Sequence, residues 1–298
     1  MDVLEVKNLH KAYGDKKVLQ GIDFSVREHS IFGFIGRNGA GKTTTMKAIL
    51  GLLKVDEGEI YVCGEKVSFG AAKTNRYIGY LPDVPEFYSF MTAREYLLLC
   101  GETLGMSKRD IEARSDELLF TVGLADEKHR IKGYSRGMKQ RLGIAQALFG
   151  KPKLLICDEP TSALDPIGRK EILDVLLSVQ KETTVFFSTH ILTDVERICT
   201  DIALINNGRV DLNGSIDDLK QIGRKEEFLV ELANRSSTLI LQSAFCAQLV
   251  ADDVLLFSGG DDFMRQVMGF IKEKNISVNK IERINPTLES LFVEVIKK

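Results

Sequence analysis

Residues 36–43, GRNGAGKT, have the spacing G-x-x-x-x-G-K-S/T and lie between an apolar stretch, IFGFIG, and a helix pattern. Glycines let backbone N–H groups close around phosphate oxygens. Lys42 brings positive charge for β- and γ-phosphates, and Thr43 offers Mg²⁺ a hydroxyl. The alternative is a glycine-rich turn beside a surface lysine, but the flanking strand and helix favour a nucleotide site. Its predicted residues are Gly36, Asn38, Gly39, Ala40, Gly41, Lys42, Thr43 and Thr44.

Two adjacent acids, Asp158 and Glu159, end the apolar stretch LLICDEP. Open α/β sheets bind ligands beyond the carboxyl ends of their strands, where these acids would lie. We expect Asp158 to hold Mg²⁺ through water and Glu159 to accept a proton from an attacking water. An acid at the end of a strand is often only a turn residue, but a phosphate loop in the same sheet favours catalysis.

Strands and helices alternate along most of the chain, which is typical of a parallel sheet covered by helices. Residues 3–35 have the pattern of short strands with turns, and residues 92–130 that of helices. The other predicted elements are a helix at 42–53, a strand at 58–67, helix 136–149, strand 153–157, helix 168–181, strand 184–188, helix 191–199 and strand 202–206.

The character of the chain changes near residue 220, where LKQIGRKEEF is polar and charged, as in a hinge. After it the pattern predicts a small α+β unit without nucleotide motifs. Its predicted strands are FLVEL, DVLLFSG and SVNKIERI, and its predicted helices are 262–274 and 287–297. We therefore predict two domains, one at 1–219 that contains the nucleotide site and an accessory domain at 220–298.

Composition narrows the classes of function. The formal net charge of −2 provides no general attraction for nucleic acid. The five cysteines are scattered and form no Cys-x-x-Cys pair, which argues for reduced thiols in a cytoplasm and against a zinc site. The N-terminus lacks the apolar core of a signal peptide. No stretch approaches the roughly 18–20 apolar residues that a membrane span needs, so we expect any work at a membrane to require a partner.

Four stretches, GRNGAGKT, YSRGMKQR, LLICDEPTSALD and STH, occur in an order that resembles the ATP-binding subunit of an ABC transporter, of the drug- and antibiotic-exporter type. The resemblance covers residues 1 to about 215. It implies a P-loop NTPase domain with a mixed central sheet, an antiparallel β subdomain and a helical subdomain. It also implies ATP hydrolysis with Mg²⁺, a separate polytopic membrane permease, a second ATP-binding subunit in a homo- or heterodimer, and a cytoplasmic location, peripheral on the inner face of the cell membrane.

Residues 135–138 lie where this family carries its signature, which faces the nucleotide of the opposite subunit. The resemblance implies that Ser135 and the Gly137 amide contact γ-phosphate across a two-fold dimer. Arg136 replaces the usual second glycine and is expected to point outward or toward phosphate, and Met138 stands where glutamine is common. Without the resemblance, Ser135 would only be the N-cap of a helix.

Three further positions carry over from the family. Tyr13 resembles the aromatic residue that stacks on adenine, although a half-buried strand tyrosine is the alternative. Asp165 ends the SALD stretch, which resembles the D-loop that touches the opposite subunit. His190 follows an apolar strand and resembles the switch histidine, which would contact γ-phosphate and hold the catalytic water with Glu159. An isolated histidine in this place would otherwise be structural.

Asp83, in IGYLPDVPEFY, departs from the family at large, which has a glutamine at this Q-loop position. An ionised carboxylate only accepts hydrogen bonds. We expect Asp83 to approach Mg²⁺ while adding negative charge near the phosphates, and a turn cap between Pro82 and Pro85 is the alternative. The aromatic-rich residues 87–91 that follow are expected to meet the membrane partner, or else to pack inward.

Two other classes of function compete with a transport motor. A soluble ABC ATPase that acts on ribosomes or DNA usually has two nucleotide domains or a long coiled-coil insert, and this chain has neither. A GTPase would need an Asn-Lys-x-Asp sequence to read guanine. The nearest match, Asn279–Glu282, ends in the wrong acid and lies in the other domain.

Overall fold

The computed structural model describes residues 1–222, 226–284, 288–289 and 291–292, in two units, Met1–Ile216 and Asp217–Lys298. The strands of the first unit are β1 Asp2–Tyr13, β2 Lys16–Arg27, β3 Ile31–Ile35, β4 Glu57–Val62, β5 Glu65–Lys66, β6 Ile78–Leu81, β7 Leu154–Asp158, β8 Thr184–Thr189, β9 Asp201–Asn206 and β10 Arg209–Ser215. Its helices are α1 Lys42–Ile49, α2 Ala93–Thr103, α3 Lys108–Thr121, α4 Arg136–Leu148, α5 Pro166–Val179 and α6 Leu192–Ile198.

The central sheet has the order β10-β9-β3-β8-β7-β6, and every neighbouring pair is parallel except β10 and β9. A second sheet, β2-β1-β4-β5, is antiparallel. The carboxyl ends of β3, β7 and β8 therefore meet at one edge of the central sheet. This arrangement confirms the predicted mixed sheet and antiparallel β subdomain.

The core of the first unit lies between its two sheets. Strands β3, β7 and β8 are buried along their whole length, as expected for central parallel strands. The Phe24 ring of β2 packs against Phe32 and Phe186 of the central sheet, with ring centroids 5.6 and 5.8 Å apart. Burying each such side chain contributes about 1.5–3 kcal/mol, so this cluster fixes the β subdomain on the sheet that carries the site.

The predicted helical subdomain is formed by α2 and α3, which pack against each other. Thr92 and Glu95 form a capping box at the start of α2, and Ser107 caps α3. Both helix starts are therefore determined by residues that the sequence places just before an apolar pattern. Within the described part of the chain, every helix is too short or too polar to span a bilayer.

The second unit begins within α7 Ile216–Ile222. It contains β11 Glu227–Leu232, α8 Arg235–Phe245, β12 Gln248–Ala251, β13 Val254–Ser258, α9 Asp261–Glu273 and β14 Val278–Arg283. The strand order β12-β13-β11-β14 and the succession βαββαβ define a ferredoxin-like α+β unit. Its core joins Phe228, Val230, Leu255 and Phe257 of the sheet to Leu241 and Val267 of the helices. The predicted domain boundary at 219/220 falls inside α7, so the division at that residue stays a prediction.

Several elements differ from the sequence-based prediction. The predicted strand 58–67 is the hairpin β4–β5, because Cys63 and Gly64 have φ values of 50° and 76° and turn the chain. The pattern predicts no strand at β6 or β10. β6 has only four residues, and apolar and polar residues alternate only weakly in β10, so both strands depend on pairing with their neighbours in the sheet. It also predicts no element over residues 235–251, where α8 and β12 lie. Serine and threonine early in α8 weaken the helix signal, whereas the Asn234 cap and the burial of Leu241 stabilise the helix.

Most of the predicted helix 287–297 and part of the predicted hinge lie outside the described residues.

Candidate nucleotide-binding site

The loop between β3 and α1 forms the phosphate-binding part of the site. A Cβ atom at Gly36 would lie 2.6 Å from the carbonyl oxygen of Ile205, so only glycine fits against that strand. Gly41, the N-cap of α1, has a φ of 117°, which a side chain would strain. The loop ends at the N-terminus of α1, where free N–H groups and the helix dipole favour an anion.

The Lys42 side chain lies inside this loop and is only 6% exposed. Its Nζ donates to the carbonyl oxygen of Gly36 at 2.7 Å and lies 3.1 Å from Oε1 of Glu159. The ammonium group is therefore held over the loop by a backbone acceptor, next to a carboxylate. An incoming phosphate would meet a positive charge that is already oriented.

Asp158, at the end of β7, contacts two hydroxyl groups. Thr43 Oγ1 donates to its Oδ2 at 3.0 Å, and Ser188 Oγ donates to its Oδ1 at 2.6 Å. Thr43 and Asp158 thus present adjacent oxygen ligands from two elements. Mg²⁺ prefers such ligands and keeps several waters, so these residues fit the ion.

Glu159 combines an unusual backbone with a buried carboxylate oxygen. Its φ of 47° lies in the left-handed region, where non-glycine residues are uncommon outside turns and functional sites. Its N–H donates to Ser188 Oγ at 3.1 Å, and its Oε2 lies 2.9 Å from Nδ1 of His190. Oε1 is buried and accepts no hydrogen bond from the described residues, although it forms the ion pair with Lys42 described above. An acceptor of this kind fits the proton of a bound water.

These groups surround one cavity of about 330 Å³. Asp158 and Glu159 at the end of β7, and Asp83 after β6, therefore line the same cavity as the phosphate loop. The cavity is lined by Val18, Asn38, Gly39, Gly41, Lys42, Thr43, Thr44, Asp83, Asp158 and Glu159.

Asp83 enters the cavity from the segment after β6, but its carboxylate also has a cation beside it. Arg136 Nη2 donates to Oδ1 of Asp83 at 3.2 Å, and the buried side chain of Gln140 donates to the Asp83 carbonyl oxygen at 2.6 Å. Burial raises the pKa of Asp83, Arg136 lowers it, and the neighbouring carboxylates Asp158 and Glu159 raise it. Arg136, which is exposed, therefore also pairs with a carboxylate of its own chain, a contact that the sequence did not predict.

We expect Asp83→Gln to keep or raise the ATPase rate. The amide removes a negative charge near the proposed triphosphate position and adds a hydrogen-bond donor. Asp83→Ala is expected to impair coupling to the partner more than ATP binding, because it removes the side chain altogether. Steady-state ATPase assays on both variants test this. A tenfold or larger fall with glutamine, about 1.4 kcal/mol at the transition state, would mean that the carboxylate itself is required.

Several predicted residues do not line the cavity, among them Ser135, Asp165 and Tyr13. Ser135 caps α4 by accepting the Met138 N–H at 3.2 Å, and Asp165 caps α5 by accepting the Gly168 N–H at 3.0 Å. Tyr13 ends β1 with 53% of its surface exposed. Capping leaves the Ser135 hydroxyl proton free to be donated to a phosphate, because a hydroxyl both donates and accepts. In this structure Ser135 is the N-cap of α4, which was the alternative to a contact with phosphate. The cap does not use the hydroxyl proton of Ser135.

Sequence reasoning missed two residues that position the site. Ser188 holds both Asp158 and the Glu159 N–H, and Gln140 holds the Asp83 segment. Ser188 lies two residues before His190, in the same FFSTH stretch, so an inward hydroxyl at the end of that strand was available as a signal. Gln140 looks like an ordinary polar residue of a helix, and only its complete burial reveals its role.

A phosphate loop that opens a helix, with an acid at the end of a parallel strand of the same sheet, defines a P-loop NTPase site. A sequence profile of the ABC transporter family matches residues 19–162. The bacitracin transport ATP-binding protein BcrA of Bacillus licheniformis is 37% identical over 300 residues, which cover 99% of this chain and 97% of BcrA. The linearmycin resistance ATP-binding protein LnrL of Bacillus subtilis is 38% identical over 219 residues, 73% of this chain and 70% of LnrL.

A solved structure described as the ATP-binding subunit of an ABC transporter is 35% identical, with a TM-score of 0.65, and the match covers 74% of this chain and 93% of that one. This chain belongs to the ATP-binding proteins of ABC transporters. The family and fold predicted from the four motifs are confirmed.

Proposed function

We propose that this chain hydrolyses ATP with Mg²⁺ and thereby powers export through a separate membrane permease, as one half of an ATP-closed dimer. The observation that carries the proposal is the convergence of Lys42, Thr43, Asp158 and Glu159 on one cavity, with His190 on the Glu159 carboxylate. The profile match and the transporter subunits among its relatives support the coupling to transport. They do not favour action on ribosomes or DNA.

The phosphate loop binds and orients the nucleotide. Lys42 lies beside Glu159, and its ammonium group is expected to contact the β- and γ-phosphates when ATP enters. Thr43 and Asp158, with Asp83 nearby, would hold Mg²⁺, which when bound neutralises charge on the phosphate oxygens. Tyr13 would stack on adenine from the end of β1, where its ring is open to solvent.

Glu159 is the proposed general base. A water held by its Oε1 attacks the γ-phosphorus, the bond from phosphorus to the bridging oxygen breaks, and ADP leaves with that oxygen. The water proton passes to the Glu159 carboxylate. His190, whose Nδ1 is on Oε2 of Glu159, orients the carboxylate and is free to direct Nε2 toward γ-phosphate. A second ATP-binding subunit would supply Ser135 and the Gly137 amide, with Asp165 at the same interface.

Exposed apolar side chains beside the site support a protein partner. Val84, Tyr88 and Phe90 are 62%, 55% and 62% exposed, in the segment between the Q-loop position and α2. Scattered apolar residues on a surface are normal, but a cluster of aromatic ones is typical of interfaces. We propose that the permease docks here, with this chain on the cytoplasmic face of the membrane. Cargo of the bacitracin or linearmycin kind is the proposal that the two relatives support.

We expect Lys42→Ala to weaken ATP affinity by about tenfold or more, because a charge-assisted contact to phosphate typically contributes about 1.5–3 kcal/mol. Calorimetric titration of the purified chain with ATP and Mg²⁺ measures this. Lys47→Ala is a matched control, since Lys47 lies in the last turn of the same helix. Equal affinity in Lys42→Ala and the wild type would refute the nucleotide site.

A further inference from the structure

A buried carboxylate, Asp194, lies behind the site and outside the phosphate cavity. It occupies the first turn of α6 and is 3% exposed. A charge at this depth is costly unless it is paired and hydrogen-bonded. The contacts that pair the Asp194 carboxylate therefore indicate its structural role.

Both carboxylate oxygens of Asp194 are satisfied by different elements. Thr161 Oγ1, itself buried, donates to Oδ2 at 2.7 Å, and Arg169 Nη2 donates to Oδ1 at 2.5 Å. Arg169 also compensates the charge. One side chain thus joins the turn after β7, the start of α5 and the start of α6.

Each of these three segments carries a residue of the proposed mechanism. Thr161 comes two residues after Glu159, Arg169 four residues after Asp165, and Asp194 four residues after His190. The backbone supports the same turns, since the Ser162 N–H donates to the carbonyl oxygen of Glu159 at 3.0 Å. Displacing Asp194 would therefore disturb the base, the histidine and the D-loop together.

We propose that Asp194 is a positioning residue that holds the Glu159 turn, the D-loop and the His190 segment in one arrangement. The inference rests on the ATPase function proposed above. The 2.9 Å contact between Glu159 and His190 joins the segments that follow the paired strands β7 and β8, and the Asp194 contacts tie those segments together beyond the ends of the strands. Asp194 does not line the phosphate cavity, so we expect its effect to be on geometry.

The same two helices offer a matched control. Arg197 of α6 donates to Asp174 of α5 at 2.8 Å, in a pair whose side chains are 40% and 51% exposed. This pair also links α5 to α6 but lies beyond the turns that carry Glu159 and His190. If the fold only required α5 and α6 to be joined, loss of either pair would have the same effect on the site. The positioning role predicts that only loss of the Asp194 contacts affects it.

The test compares Asp194→Asn, Thr161→Val and Asp174→Asn in the full chain. Hydrogen exchange of the nucleotide-free protein is measured over residues 159–165 and 189–194, together with kcat and KM for ATP. We expect Asp194→Asn to raise exchange in both segments together and to lower kcat by about tenfold or more, with little change in KM. Thr161→Val should do the same more weakly, and Asp174→Asn should match the wild type.

Exchange and kcat in Asp194→Asn that equal those of Asp174→Asn would overturn the proposal. If Asp194→Asn does not fold, Thr161→Val decides, because it preserves volume and leaves the Arg169 pair intact. A wild-type chain without ATPase activity would defeat the proposed function alone. The exchange measurement on nucleotide-free protein would still show whether Asp194 holds the two segments.

Discussion

Glu159→Gln should reduce steady-state ATP hydrolysis by about 10²- to 10⁴-fold while ATP still binds, because the amide cannot accept the proton of the attacking water. That loss corresponds to about 3–5 kcal/mol at the transition state. The substitution preserves the size of the side chain and leaves the phosphate loop intact. With binding preserved and hydrolysis blocked, the proposed ATP-closed dimer should accumulate.

Phosphate release and size-exclusion chromatography with ATP and Mg²⁺ measure the two effects. Glu171→Gln is the matched control, since Glu171 is an acid of α5 that pairs with Arg141 at 3.3 Å and does not line the cavity. The control should hydrolyse ATP like the wild type. Turnover near the wild-type rate in Glu159→Gln would remove Glu159 from the role of base.

Ser135→Arg should fold and bind ATP but fail to hydrolyse it, if Ser135 serves the nucleotide of the opposite subunit. If the residue only caps α4, its replacement should cost about 0.5–2 kcal/mol of stability and act within one subunit. Mixing distinguishes these roles. In a dimer of one Ser135→Arg subunit and one Lys42→Ala subunit, one site carries both defects. The other site combines an intact phosphate loop with an intact signature.

ATPase activity should therefore reappear when the two inactive variants are mixed, provided that one intact site turns over alone. Mixed dimers are identified by tagging one subunit. Mixed dimers without activity would mean that the site is not shared or that both sites must act together. Mixed dimers of wild type with the double variant distinguish these two explanations. Each shared site in such a dimer carries one defect, whereas an unshared site within the wild-type subunit is intact.

The sequence alone was sufficient to predict the residues of the phosphate site, because that prediction depends on local chemistry. A loop of glycines followed by Lys42 and Thr43 has few uses other than holding phosphate, and an apolar strand that ends in Asp158 and Glu159 must place acids at the sheet edge. The order of the motifs also identified the family. These features depend on neighbours along the chain and on the rule that parallel strands share their carboxyl edge.

Only the tertiary structure revealed the contacts between side chains that are far apart in the sequence. Only folding brings Arg136 onto Asp83, 53 positions away, and Thr161 and Arg169 onto Asp194. The elements β6, α8 and β12 form because sheet pairing and burial outweigh weak local preference. A sequence pattern reports which residues are apolar or polar and at what period. It does not report which buried polar group will meet which, since that depends on how separate loops end at one edge of the sheet.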